Sequence, residues 1–369
     1  MDIRTERLAH VLVDYSVNVQ PGDRVAILSE PQAASLVRAV YERVLERGGH
    51  PITTVALPGL GEIFYRRAND AQLTFVDPVR KMVIEEFEAL ISIRAATNTR
   101  SLSGIDPARQ AQHSKAMASL LQRYMERGAS GELKWCGTIF PVPAYAQEAD
   151  MSLREYEDFV YGTCFCDQED PIAEWDRIHE EQQLVIDWLK GKERVVVSGP
   201  NADLTLSIAG RAFVNSDGHH NMPSGEVFTG PVEDSANGWV RFTYPAITGG
   251  RVVEGIELWF EDGKVVKATA KKNEDYLLQM LDTDERSRYL GEFAIGTNYG
   301  IKKFTKNILF DEKIGGSFHM AVGAGYPETG SINRSAIHWD MICDMRDGGE
   351  IRVDGEPFYK DGKFVICDS

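Results

Sequence analysis

Hydrophobic and polar positions alternate along residues 335–344, "SAIHWDMICD", with the period of a β-strand. Ile337, Trp339, Met341 and Cys343 fall on one side, and His338, Asp340, Ile342 and Asp344 on the other. Successive strand side chains point to opposite faces, so His338 and Asp340 stand on one face, roughly 7 Å apart along the chain. An imidazole and two carboxylates on one face of so apolar a strand call for either water or a partner.

The same reading orders the rest of the chain. "RVAILSE" (24–30) is a short apolar run that predicts a strand. "AASLVRAVYERVLERGGH" (33–50) repeats Leu36, Val40 and Val44 at helical spacing and stops at Gly48-Gly49. "PITTVALP" (51–58) is β-branched and bounded by proline. Residues 77–95 pass from helix into strand, 114–129 read as a helix and 133–141 as a strand. Strands alternating with helices imply a parallel sheet with covering helices. After a mainly helical stretch (142–192) come short strands and tight turns, with Asp-Gly hairpins in 257–270 and 350–366. One helix is expected over 273–290. The pattern predicts an α/β fold in two parts: an N-terminal parallel-sheet α/β domain over 1–190 and a mainly antiparallel α+β domain over 191–369.

A chain of 369 residues, 43% hydrophobic, suits two cores better than one. Forty basic against 56 acidic residues give a formal charge of −16. That balance argues against nucleic-acid and anionic-membrane partners, which need local positive potential. Five cysteines (Cys136, Cys164, Cys166, Cys343, Cys367) read as reduced thiols. The opening "MDIRTERLAHVLVDYS" lacks a signal-peptide pattern, and no apolar run approaches the ~18 residues of a membrane helix. A soluble, cytoplasmic protein is expected.

Familiar catalytic signatures are missing: there is no phosphate loop, dinucleotide fingerprint or nucleophile elbow. "HEEQQ" (179–183) carries Gln183 where a zinc-protease helix needs histidine, so His179 and Glu180 read as a wet helix face. "PGLGE" (58–62) reads as a turn. The C-terminal half instead embeds single ionisable residues in apolar, glycine-bounded stretches. These are Glu226 in "PSGEVFTGP", Glu292 in "LGEFAIGTN", His319 in "GGSFHMAVG", and His338 and Asp340 in the opening strand. Glu233, Asp234 and Glu328 have polar neighbours and read as turn or cap residues. A carboxylate stripped of water costs several kcal/mol unless paired, and lysine and arginine are nearly absent here, Arg334 being the nearest. Three carboxylates and two imidazoles are a ligand set for two divalent cations.

At these residues the sequence resembles the thermophilic metallo-aminopeptidases of the aminopeptidase T and S type (peptidase family M29), over nearly the whole chain and most specifically at "HNMPSGEVFTGPVEDSANG". The resemblance makes Glu226, Glu292, His319, His338 and Asp340 metal ligands and Tyr326 the active-site tyrosine. It also implies a co-catalytic pair of zinc, cobalt or manganese, peptide substrates and a homodimer. Glu292 is the expected proton carrier in a two-metal hydrolysis, and 191–369 the metal-binding catalytic domain. Two other readings stand beside it. His319, His338 and Asp340 alone would suit one non-haem iron, as in ring-cleaving dioxygenases similar to this family, but Glu226 and Glu292 would then have no task. A non-catalytic metal- or peptide-binding module is the third reading.

Overall fold

The computed structural model describes residues 2–248 and 250–366; Cys367 lies outside them. Two compact units emerge from the contact pattern. One runs to Glu174 and takes back Gly218–Pro223; the other holds Trp175–Asp217 and the chain from Ser224 onward. The sequence division at 190 falls at the end of the helix Pro171–Leu189.

In the first unit, β1 (Arg24–Ser29), β2 (His50–Val55), β3 (Ala89–Arg94), β4 (Lys134–Ile139) and the short β8 (Asn221–Met222) form a parallel sheet in the order β2-β1-β3-β4-β8. The run "VAI" in β1 is fully buried, as a strand between two neighbours in a parallel sheet should be. Helices start where the chain offers caps. Asp77 accepts from Val79 N at 2.9 Å ahead of the helix Pro78–Glu86. Asp106 does the same for Ala108 N at 2.9 Å, so the helix expected from 114 begins at Pro107 and runs to Ala129.

The second unit is built on two antiparallel sheets. The larger takes the order β14-β13-β10-β6-β5-β18-β19-β20. Its strands are β5 (Arg194–Gly199), β6 (Ala202–Ser207), β10 (Asn237–Arg241), β13 (Glu257–Glu261), β14 (Lys264–Thr269), β18 (Glu350–Val353), β19 (Glu356–Lys360) and β20 (Lys363–Phe364). The smaller, in the order β17-β16-β15-β9-β7, uses β7 (Val214–Ser216), β9 (Glu226–Thr229), β15 (Leu290–Gly296), β16 (Ser317–Gly323) and β17 (His338–Asp344). A two-stranded ribbon, β11 (Ala246–Thr248) with β12 (Arg251–Val253), completes the set.

One continuous core joins the two larger sheets. Val195, Val197, Leu204 and Leu258 from one meet Phe293, Phe318, Met320, Trp339 and Met341 from the other. The smaller sheet thus spends its Phe, Met and Trp positions on the core, which leaves the alternate residues for its opposite face. The helix expected over 273–290 spans only Glu274–Leu281. Beyond it, Asp284 accepts from Arg286 N at 2.8 Å and donates its own N–H to Ser287 Oγ at 3.0 Å. These local bonds compete with the helical ladder.

Candidate metal centre

The face of the small sheet turned away from the core brings together all five ligands expected from the sequence. Glu226 opens β9, Glu292 lies on β15, His319 on β16, and His338 and Asp340 on β17. Cross-strand register explains how they fit. Glu226 pairs with Gly296, His319 with Ala294, Glu292 and Asp340 both with Ala321, and His338 with Gly323. Each ionisable side chain faces a glycine or alanine on the next strand, so its head group leans into space that a larger residue would fill. Entry to β9 is equally cramped: Gly225 has φ +116°, and a Cβ there would meet Asn298 at 2.8 Å.

The distances define one cluster. His319 Nε2 lies 3.3 Å from Glu226 Oε2 and 3.2 Å from Glu292 Oε1. His338 Nε2 lies 3.5 Å from both Glu292 Oε2 and Asp340 Oδ1. Glu292 therefore stands between the two imidazoles, one oxygen toward each. His338 Nδ1 sits 2.7 Å from the Ala324 carbonyl. A carbonyl only accepts, so in the neutral ring Nδ1 holds the proton and Nε2 keeps a free lone pair for a metal. His319 is fully buried, whereas His338 leaves 28% of its side chain accessible and marks the open side. Asp344, on the same face of β17, is not part of the cluster; it pairs with Arg346 and accepts from Tyr244 Oη at 3.2 Å.

Two residues were not anticipated. Glu312 joins His319 and Asp340 as a third set of donors, beside Glu226–Glu292–His319 and Glu292–His338–Asp340; within each set the ligand atoms lie within 4.8 Å of one another. Lys313, fully buried, brings its ammonium to Glu312 and, at 3.7 Å, to Glu226 Oε1. The expectation that Arg334 is the nearest basic side chain is corrected by this residue; Arg334 is exposed. The signal was present in "FDEKIGG", where three consecutive charges abut an apolar strand.

The titration behaviour reflects crowded acids in a dry place. Burial raises the Glu292 pKa above the ordinary carboxylate value, and it takes Glu312 to about 7. Burial opposes the imidazolium at His319, but the Glu292 and Glu226 carboxylates outweigh it and raise the pKa to about 9. At His338, burial is likewise overcome by Asp340 and Glu292, giving about 10. Asp340 is lowered: burial pushes up, and the His338 charge beside it pulls down harder. The Tyr326 phenol is pushed up by burial and the surrounding carboxylates. Its ring packs 5.3 Å from both Phe228 and His338.

Whether a cation fits can be judged from the atoms left over. Among the described residues, Glu226 Oε2, Asp340 Oδ1 and His319 Nδ1 are buried without a hydrogen bond. Four carboxylates share one lysine. Orphaned oxygens beside crowded oxygen and nitrogen donors are what divalent ions satisfy. Asp340 belongs to two of the three donor sets, so Asp340→Ala should reduce the bound metal count while the near-UV circular dichroism stays native. An unchanged stoichiometry by elemental analysis removes Asp340 from the centre.

Glu180 and Glu328 are exposed, and His179 pairs with Asp217 at 2.6 Å. Glu233 is not a turn residue: it is buried against Arg211 at 2.6 Å. The four described cysteines are buried thiols outside any disulfide.

Comparison with known proteins supplies a family and a fold. The family model for thermophilic metalloproteases (M29) matches residues 1–364. Aminopeptidase 2 of Geobacillus stearothermophilus is 29% identical, across 98% of this chain and 97% of its own. Aminopeptidase T of Thermus thermophilus is 28% identical, across 97% and 95%. Among solved structures, wild-type AmpT from Thermus thermophilus matches with a TM-score of 0.86 at 23% identity, over 98% of this chain and 99% of that one, a likeness of fold.

Proposed function

The chain belongs to the thermophilic metalloprotease family M29, and from that premise we propose that it is an aminopeptidase removing N-terminal residues from peptides. We place two divalent ions (zinc, cobalt or manganese) among Glu226, Glu292, Glu312, His319, His338 and Asp340. The observation that carries this reading is Glu292, one carboxylate common to two donor sets. Bound there, such ions supply an acidified water and polarise the scissile carbonyl.

The protein's own groups do the rest. Glu292, buried and raised in pKa, takes the proton from the attacking water and delivers it to the leaving amine. Tyr326, beside His338, donates its hydroxyl to the oxyanion that forms at the carbonyl. The acid-rich cage attracts the substrate's α-ammonium, which sets the cut one residue from the N-terminus. The test is hydrolysis of leucine p-nitroanilide and of a dipeptide; an N-acetylated peptide should be refused. Each of the three donor sets contains a glutamate, which weighs against the mononuclear-iron reading.

We further propose a homodimer through the first unit. The edge strand β2 is exposed along nearly its whole length, although parallel sheets are normally covered. Ile52, Val55, Leu57, Ile63, Phe75 and Leu121 around it are 46–64% exposed. Leu121 and Val79 line a groove of about 780 Å³ beside Thr54 and Ala56. At roughly 100 Å² each, these side chains approach the ~800 Å² each partner contributes to a stable interface. Light scattering should give twice the chain mass, and Ile63→Glu with Leu121→Glu should weaken association by about a hundredfold or more. A double variant that stays fully dimeric moves the interface elsewhere. No helix among the described residues is long and apolar enough to cross a membrane, and buried thiols outside any disulfide suit a reducing compartment such as the cytoplasm.

A further inference from the structure

A second buried charged pair lies outside the metal cluster, and it grips the loop that carries Tyr326. Glu233 is 7% exposed. Its Oε2 meets Arg211 Nη2 at 2.6 Å, and its Oε1 accepts from Ser331 Oγ at 3.0 Å and from Ile332 N at 2.8 Å. Arg211 also donates to the Gly330 carbonyl, and Ala212 N donates to the Thr329 carbonyl at 3.1 Å. Three consecutive residues of the loop, Gly330, Ser331 and Ile332, thus hang from two side chains. Burial opposes the Glu233 charge, but the Ile332 N–H, the Ser331 hydroxyl and Arg211 more than offset it, so its pKa is lowered.

The grip passes to the centre by short steps. Thr329 Oγ1 donates to the Tyr326 carbonyl at 2.7 Å, and Gly325 N donates to the Asn333 carbonyl at 3.2 Å, closing the loop on itself. Ala324, at the loop's start, supplies the carbonyl that fixes the His338 tautomer. The packing leaves no slack: a Cβ on Gly325 would meet Ser331 Oγ at 2.1 Å, and one on Gly230 would meet Thr329 Oγ1 at 2.7 Å.

We propose that Arg211 and Glu233 form a positioning clamp that sets the Tyr326 hydroxyl and the His338 ring relative to the metal-binding carboxylates. Neither residue touches the reacting atoms; both act through the 324–333 loop. The kinetic part rests on the aminopeptidase reading, whereas the metal-binding part does not.

The experiment uses full-length Glu233→Gln, Tyr326→Phe and the double variant. Glu233→Gln should lower kcat about tenfold to a hundredfold with KM within about threefold, because an ångström of misplacement at a reacting centre is that costly. If the clamp works through Tyr326, the double variant should be within about twofold of the slower single variant. In cobalt titrations followed by visible absorption, Glu233→Gln should bind one of the two ions about tenfold more weakly, the scale seen when a partner of a ligating histidine is disturbed. Unchanged cobalt affinity, or losses that multiply in the double variant, overturns the clamp. Should Glu233→Gln fail to fold, Ser331→Ala removes a single bond to Glu233 and is read by the same criteria, with about a threefold loss expected. A wild type that binds two ions but cleaves no peptide would overturn the aminopeptidase reading and leave the cobalt test of the clamp in force.

Discussion

Exhaustive dialysis against EDTA should lower the hydrolysis of leucine p-nitroanilide by about a thousandfold or more, and added cobalt or zinc should restore it. The size follows from what the residues can do unaided. With the ions removed, Glu292 faces ordinary water as a base, and Tyr326 alone polarises the carbonyl; several kcal/mol of transition-state stabilisation are gone. The fold should survive, since the ligands lie on strands anchored by Phe293, Phe318, Met320 and Trp339 in the shared core. Activity that persists after chelation, with elemental analysis reading zero, would rule out the metal mechanism.

The second large effect is expected at Glu292→Gln. This change keeps the side-chain volume and removes the charge from a carboxylate that reaches both His319, at 3.2 Å, and His338, at 3.5 Å. Two donor sets lose a ligand together, so the metal content should fall to one ion or fewer per chain. Saturating cobalt separates the two tasks assigned to Glu292. A ligand alone would be rescued by mass action. As proton carrier as well, the variant should stay about a thousandfold slower with both ions bound, because an amide cannot accept the water's proton. Full recovery in excess cobalt would make Glu292 a ligand only.

The five expected donors were readable because each breaks a rule of burial inside an apolar, glycine-bounded strand. The α/β arrangement of the first unit followed from periodicity, and the hairpins from Asp-Gly turns. Other features depend on distances the chain does not write down. Glu312 and Lys313 are flagged by the three charges of "FDEKIGG", but what they do shows only when His319 and Asp340 come back to meet them. Glu233 sits in a polar stretch, and its partner Arg211 is far enough upstream to hide the pairing. The small residues opposite the donors, Ala294, Gly296, Ala321 and Gly323, are invisible as a set without the register of four strands. The return of Gly218–Pro223 to the first unit likewise has no local signal, because a two-residue strand is too short to show a period.

Lys313 has a consequence for how the molecule comes into being. The four carboxylates of an empty cage would push its strands apart, yet the His319 and His338 rings lie among them and a permanent ammonium sits between Glu226 and Glu312, and together these bear much of that repulsion. The newly made polypeptide can therefore reach its native form before any ion arrives. Loading becomes a late event, decided by whichever divalent ions the surrounding fluid offers and by their rank in affinity for such donors. One gene product grown under different mineral supplies would then yield preparations of differing vigour.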